Sequence, residues 1–237
     1  MTFDPMSPRV GPMTRAILRT TDIMLSGAAL LVFSPFFLVI SLILRLTGEG
    51  EVFFRQTRIG MGGRPFGLLK FATMRKDSPS LGTGELTIPE DPRVLPVGRV
   101  LRKTKINELP QLWNVFVGDM SIIGPRPQTA KYYDRFDPAD RAVIAQVRPG
   151  LSGVGSILFR DEEDLLAKVA DPFDFDLNVI TPYKGRVENW VGCNMSIALY
   201  WRLIFLTVAV IVNPQTGHRQ WLLDRVPPPP AELANLL

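Results

Sequence analysis

The sequence predicts a small membrane-associated α+β domain, mainly helical, on three observations. A long uncharged run near the N-terminus carries a proline at its midpoint, a hairpin signal follows it, and amphipathic helical spacing recurs beyond that. At 237 residues and 46% hydrophobic composition, with mean hydropathy +0.12, the chain can bury one substantial core and is slightly too apolar for an ordinary soluble domain. Its net charge of +4 suits anionic headgroups and phosphate ligands. No zinc-finger or RNA-binding aromatic signature accompanies that charge, so nucleic acid is not an expected partner. Cys193 is the sole cysteine, which excludes an internal disulfide and suits a reducing compartment. His218 is the sole histidine, so histidine triads and multi-histidine metal sites are excluded and acid–base work falls to carboxylates.

After an N-terminal tail (residues 1–13), residues 14–46 form the membrane element. The uncharged run 23–44 is long enough to span a bilayer. Ser34-Pro35 sits at its midpoint, where proline removes a helix hydrogen bond. Both flanks are basic, with Arg15 and Arg19 before it and Arg45, Arg55 and Arg58 after it, and basic flanks belong on the cytoplasmic side. A re-entrant helix that enters, breaks at Ser34-Pro35 and returns meets both conditions, with the Ser34 hydroxyl serving a freed carbonyl. A kinked transmembrane anchor is the alternative. The run is too long, and lacks the small-residue cleavage site, for a cleaved signal peptide.

The core is expected over residues 47–213. Residues 52–71 read as a β-hairpin around Gly60-Met61-Gly62-Gly63. Residues 82–96, rich in Gly, Thr, Pro and Asp without periodicity, read as a mobile loop over the site. Arg93, Arg99, Arg102, Lys103 and Lys105 form a basic run, a solvated face that could also meet anionic lipid.

Residues 103–128 carry the most information. Leu109, Leu112, Trp113 and Phe116 fall at the spacing of one buried helical face. Pro110 fits only a first turn, so the helix is expected to start near Asn107 and stop at Gly118. That places Asn107 and Glu108 at the positive end of the helix dipole, where free N–H groups favour phosphate. Arg126 lies between Pro125 and Pro127, which restrict the backbone and present a planar fork suited to bidentate phosphate binding. Singly, these residues are an N-cap, a first-turn acid and a loop arginine. Together, downstream of a membrane segment, they point to phosphate chemistry on a lipid at a bilayer surface.

Farther on, Arg148-Pro149-Gly150 followed by Ser152-Gly153-Val154-Gly155 is a Gly-rich turn beside an arginine, alone a weak phosphate signal. Residues 160–164, RDEED, start a short acidic helix. Ile197–Val212 is interrupted by Arg202 and too short to span. It is either an interfacial helix, with Tyr200 and Trp201 at headgroup depth and Arg202 facing phosphates, or a buried core helix. Residues 214–237, with four consecutive prolines, read as an extended peripheral tail.

The order FFRQTRIG (53–60), LLKFATM (68–74), GRVLRKTKINELPQLWNVFVGDMSIIGPRP (98–127) and VRPGLSG (147–153) resembles the bacterial sugar transferases. These are monotopic phosphoglycosyl transferases that begin capsule, O-antigen and exopolysaccharide synthesis. The resemblance covers residues 15–210, is most specific at the ELPQL and GDMSxxGPRP segments, and is to the short catalytic-core form. It implies transfer of a sugar-1-phosphate from a UDP-sugar to undecaprenyl phosphate, releasing UMP, with Mg²⁺, among membrane lipids at the cytoplasmic face of the bacterial inner membrane. It also favours the re-entrant reading of Ser34-Pro35.

The family has an Asp-Glu dyad where this chain has Asn107-Glu108. The family's Asp is the nucleophile and its Glu supports the metal, so Glu108 is the expected metal-linked acid. The resemblance likewise places Lys70, Arg126 and Arg148 near the phosphates. Two departures stand out. Ala72 replaces an arginine common in the family, a change Arg75 could offset, and Asn107 replaces the nucleophile with an amide that has no charge to activate. Three accounts follow: direct attack by the lipid phosphate, with Asn107 orienting a phosphate; another nucleophile among Asp119, Asp161, Glu162 and Glu163; or an inactive membrane-bound protein that binds lipid or UDP-sugar in a regulatory role.

Overall fold

The N-terminal apolar run forms one helix, α1 (Pro12–Thr47), in a computed structural model that describes residues 10–78, 91–213 and 218–237. Pro35 lies inside this helix and does not end it. Proline offers no N–H to the carbonyl four residues back, that of Leu31, and the Ser34 hydroxyl donates to that oxygen at 2.8 Å in its place. A helix that sequence reads as broken is therefore carried through its proline by a side-chain donor. Around the proline, Leu31, Val32 and Leu38 are exposed. Both flanks nevertheless return to one protein body. Ahead of Pro35, Arg19 donates to the carbonyls of Val115 at 2.6 Å and Phe116 at 2.8 Å. Beyond it, the Phe37 ring meets Phe71 at a centroid distance of 5.5 Å, and Ile40 and Leu44 bury themselves with Phe71 and Leu101.

The hairpin is as predicted: β1 (Phe53–Ile59) pairs antiparallel with β2 (Pro65–Phe71), Phe53 opposite Phe71 and Ile59 opposite Pro65, across a 3₁₀ turn at Met61–Gly63. Of the loop expected over 82–96, residues 82–90 lie outside the described residues. The remainder carries a buried ion pair: Arg93 donates to Asp91 at 2.6 Å and to the Ser78 carbonyl at 3.0 Å. Arg93 is thus tied inward and does not belong to the solvated basic face. The rest of that run lies on or just after α2 (Pro96–Lys103), where Arg99, Lys103 and Lys105 are exposed.

The next helix, α3 (Gln111–Val117), starts later than expected, and Asn107 and Glu108 fall in a preceding 3₁₀ turn, Ile106–Glu108. It ends at Gly118, in the left-handed conformation, as predicted. Its buried face also differs from the expected one. Gln111, Leu112, Asn114 and Val115 are buried, whereas Trp113 is 51% and Phe116 38% exposed. The cause is Asn114, whose amide bridges the hairpin by accepting from Leu69 N–H and donating to the Gly67 carbonyl, both at 2.9 Å. A polar anchor thereby fixes the rotation of α3 and turns its aromatic residues outward.

Strand β3 (Ser121–Ile123) pairs parallel with β4 (Gly150–Ser152), with α4 (Ala130–Tyr133) and α5 (Pro138–Ile144) between them in sequence. The glycines of the 148–155 turn have a packing reason: a Cβ on Gly150 would sit 2.1 Å from the Gly124 nitrogen. Then come α6 (Val154–Leu158), the predicted acidic helix α7 (Glu162–Leu166), and α8 (Pro172–Phe175). A π-helical turn at Asp176–Ile180 leads into α9 (Thr181–Asn194), followed by α10 (Ile197–Val212), α11 (His218–Leu223) and α12 (Ala231–Ala234).

The main core joins Val154, Ile157 and Leu158 to Tyr183, Val187 and Val191 of α9, Leu203 and Leu206 of α10, and Leu222 and Leu233 of the tail. Helix α10 combines its two sequence readings, with Leu203, Leu206 and Val210 buried while Phe205, Val208 and Ile211 are exposed. Tyr200 is buried and donates to Asp22 at 2.6 Å. Arg202 lies 4.0 Å over the Trp221 ring. Of the tail expected over 214–237, residues 214–217 lie outside the described residues and 218–237 are not peripheral: Tyr183 donates to the Pro227 carbonyl at 2.8 Å, and Leu233 beyond the proline run is in the core.

Candidate functional site

The site is assembled at a backbone irregularity. Lys105 has φ 58°, alone among described non-glycine residues in being left-handed, and it turns the chain out of α2 into the 3₁₀ turn that carries Asn107 and Glu108. Asn107 is only 6% exposed and caps no helix. Its Oδ1 is buried without a hydrogen-bond partner, an arrangement that wants a donor or a cation.

Glu108 is met from two directions. The Arg126 guanidinium, on the loop after β3, donates to its Oε1 at 2.9 Å, and the Lys70 ammonium of β2 attracts it electrostatically. Burial alone would raise the Glu108 carboxyl. Arg126, Lys70 and Lys105 more than offset this and bring it down to about 2, so it is a carboxylate at any physiological pH. Lys70 is pushed down to about 7. Burial lowers it most, Glu108 opposes, and the positive charges of Arg58, Arg126 and Arg102 lower it further. Arg126, Lys70 and Lys105 thus act on one carboxylate, and Arg58 and Arg102 add to the positive charge around Lys70, an excess suited to a polyanion.

Arg126 is also held from behind. Its backbone N–H donates at 3.1 Å to Oε1 of Glu188 on α9. Glu188 is 1% exposed, and its carboxyl is raised to about 7, by burial against the opposing N–H and charge of Arg126 and the charge of Lys184. No sequence signal marked this acid.

Lys70, Asn107, Glu108 and Arg126 are therefore gathered in one place, with Glu162 close enough for its charge to act on Arg126; the other sequence candidates make their contacts as follows. Arg148 donates through Nε to the Gly118 carbonyl at 2.9 Å, which ties it to the end of α3. Arg75 is exposed, with its backbone N–H donating to the Arg93 carbonyl, and Ala72 is buried. Asp119 accepts from Asn114 at 3.2 Å, Asp161 pairs with Arg219 at 3.3 Å, and Glu162 pairs with Lys184. The Glu163 side chain lies outside the described set. Among the described residues no three of His, Cys, Asp and Glu come together. A hard cation here would find two protein oxygens, Asn107 Oδ1 and the Glu108 carboxylate, and would complete its shell with substrate oxygens and water, as Mg²⁺ commonly does.

Comparison with known proteins bears on this geometry. The profile of the family described as bacterial sugar transferase matches residues 13–214. The chain is 36% identical over 197 residues to the UDP-glucose:undecaprenyl-phosphate glucose-1-phosphate transferase of Escherichia coli (strain K12), covering 82% of this chain and 40% of that protein. It is 37% identical over 172 residues to the UDP-N-acetylgalactosamine-undecaprenyl-phosphate N-acetylgalactosaminephosphotransferase of Aeromonas hydrophila, covering 70% and 40% respectively. To the exopolysaccharide production protein PSS of Rhizobium leguminosarum bv. phaseoli it is 34% identical over 203 residues, covering 83% of this chain and 95% of that one. It thus spans 40% of each of the first two relatives and nearly the whole of the third.

Proposed function

The chain belongs to the bacterial sugar transferases, and from that premise we propose that it transfers a sugar-1-phosphate from a UDP-sugar to undecaprenyl phosphate, releasing UMP, at the cytoplasmic face of the bacterial inner membrane. The observation that carries this reading is the unpartnered Asn107 oxygen beside a carboxylate already matched by Arg126 and Lys70. Such a site has capacity left for a phosphate and its counter-ion.

Arg126 and Lys70 bind the diphosphate of the donor and neutralise charge as it shifts toward UMP. Glu108 and the Asn107 oxygen would hold Mg²⁺, which when bound would add to the neutralisation of that diphosphate. The Asn107 amide cannot attack phosphorus, so the acceptor does. A lipid-phosphate oxygen bonds to the phosphorus that carries the sugar, the bond from that phosphorus to the bridging oxygen breaks, and UMP departs with that oxygen. The membrane position is supported by α1, whose two flanks both rest on the catalytic body while its middle is exposed and apolar. A helix that crossed fully would carry one flank to the far side.

The test is UMP release by the protein in lipid nanodiscs with Mg²⁺, using UDP-glucose and UDP-N-acetylgalactosamine, with and without undecaprenyl phosphate. Release that requires the lipid is expected. A stoichiometric burst without lipid would refute direct attack, and no release, with an Asp-Glu relative active alongside, would favour the inactive binding protein.

A further inference from the structure

We infer that Glu188 is a positioning residue for this reaction: it holds the backbone of the phosphate-binding arginine from behind, so that the guanidinium is presented at a fixed place. This rests on the transferase reading above. The sequence of the loop makes the hold specific. Pro125 and Pro127 have no N–H, so the Arg126 N–H is the only main-chain donor in the Pro125-Arg126-Pro127 segment. Glu188 Oε1 takes that donor at 3.1 Å across 62 residues of sequence. The arginine is thereby gripped twice by carboxylates, Glu188 on its main chain and Glu108 on its side chain.

The surroundings are shaped for this acid. A Cβ on Gly155 of α6 would lie 2.3 Å from Glu188 Oε1, so glycine there leaves the carboxyl its place. Glu188 Oε2 is buried without a partner. An acid kept almost fully buried with half of its acceptor capacity unused is costly relative to a satisfied one. Stability alone would favour an apolar side chain at this buried position. What glutamate adds, and an apolar residue lacks, is the acceptor for Arg126. Within a site where a displacement of ~1 Å can cost on the order of 100-fold in rate, that single bond is a sufficient reason for its retention.

The experiment compares UMP release and UDP affinity, by calorimetric titration with Mg²⁺, for the wild type, Glu188→Leu, Glu188→Gln and Gly155→Ala, each checked for a cooperative melt. Glu188→Leu removes the acceptor and is expected to lower kcat about 30-fold or more. Glu188→Gln keeps a carbonyl acceptor and restores most of that loss. Gly155→Ala displaces the carboxyl without deleting it and reproduces the loss, which carries the test if Glu188→Leu does not fold. Because the effect runs through Arg126, Glu188→Leu should cost less than about 3-fold in an Arg126→Lys background. A folded Glu188→Leu or Gly155→Ala with wild-type kinetics overturns the inference, as do equal losses in both arginine backgrounds. Wild-type protein that neither releases UMP nor binds UDP would sink the transferase reading itself and this one with it.

Discussion

Asn107 and Glu108 are adjacent in sequence, and the structure gives them different states: one an orphaned neutral oxygen, the other a carboxylate clamped by two cations. Placing a carboxylate at 107 would add the nucleophile the amide lacks. Asn107→Asp is expected to produce a lipid-independent, stoichiometric UMP burst absent from the wild type, read by rapid quench without undecaprenyl phosphate; a variant with no burst would show that position 107 is not aimed at phosphorus. Glu188 makes a second prediction. Its carboxyl lies at about 7 in the fold against the ordinary 4.5, so the folded state retains a proton that the unfolded chain has lost. The resulting stability is fully present below pH 4.5 and disappears as pH rises through 7, roughly 3 kcal/mol across that window. Glu188→Gln should flatten this slope, with a smaller fall in melting temperature between pH 5 and pH 8 than the wild type shows. Glu108 and Arg126 were legible from the turn and proline context, and Lys70 from the family resemblance. Glu188 was not, because nothing in its linear surroundings states that the Pro125–Pro127 loop lies over α9.

At the scale of elements, α1 shows how a local rule is met without its usual consequence. Pro35 does free the Leu31 carbonyl, and Ser34 satisfies it in place, so the helix continues. Whether the chain returns is decided by the contacts of its two flanks. With Cys193→Ser as background, Met13→Cys and Thr47→Cys should both be labelled by an impermeant thiol reagent in inside-out vesicles, and neither in right-side-out vesicles. Labelling from opposite sides would establish a full crossing. Helix α3 shows the converse. Its apolar spacing was read as one buried face, but spacing does not say what a stripe faces, and Asn114 turned the Trp113–Phe116 side outward.

Across the whole molecule, one buried node joins the long apolar helix α1 to the rest of the protein. Asp22 Oδ1 accepts from Tyr200 Oη at 2.6 Å, Ser121 Oγ at 3.0 Å and Ile122 N–H at 2.8 Å. Three elements far apart in sequence, α1, β3 and α10, are thus referenced to a single oxygen. Asp22→Ala would leave these donors buried and unsatisfied, a loss of about 3 kcal/mol or more, whereas Asp22→Asn retains an acceptor and should recover most of it. Thermal melts in detergent measure both, and an unchanged Asp22→Ala melt would mean that the node does not hold the helix.

The sequence by itself determined the helix-rich α+β class, the apolar N-terminal element with its serine remedy, the hairpin, the stop at Gly118 and the two groups that matter here, the Glu108 acid and the proline-flanked Arg126. Each depends on periodicity, backbone restriction or charge within a few residues, and such information is local. Only the tertiary structure decided that α3 shows its aromatic residues outward, that the C-terminal segment joins the core, that Arg148 serves the end of α3, and that Glu188 backs Arg126. Those outcomes depend on which surfaces meet after residues dozens to more than a hundred positions apart are brought together, where one satisfied polar contact, such as Asn114 on the hairpin or Asp22 under Tyr200, fixes an orientation that hydrophobic spacing leaves open.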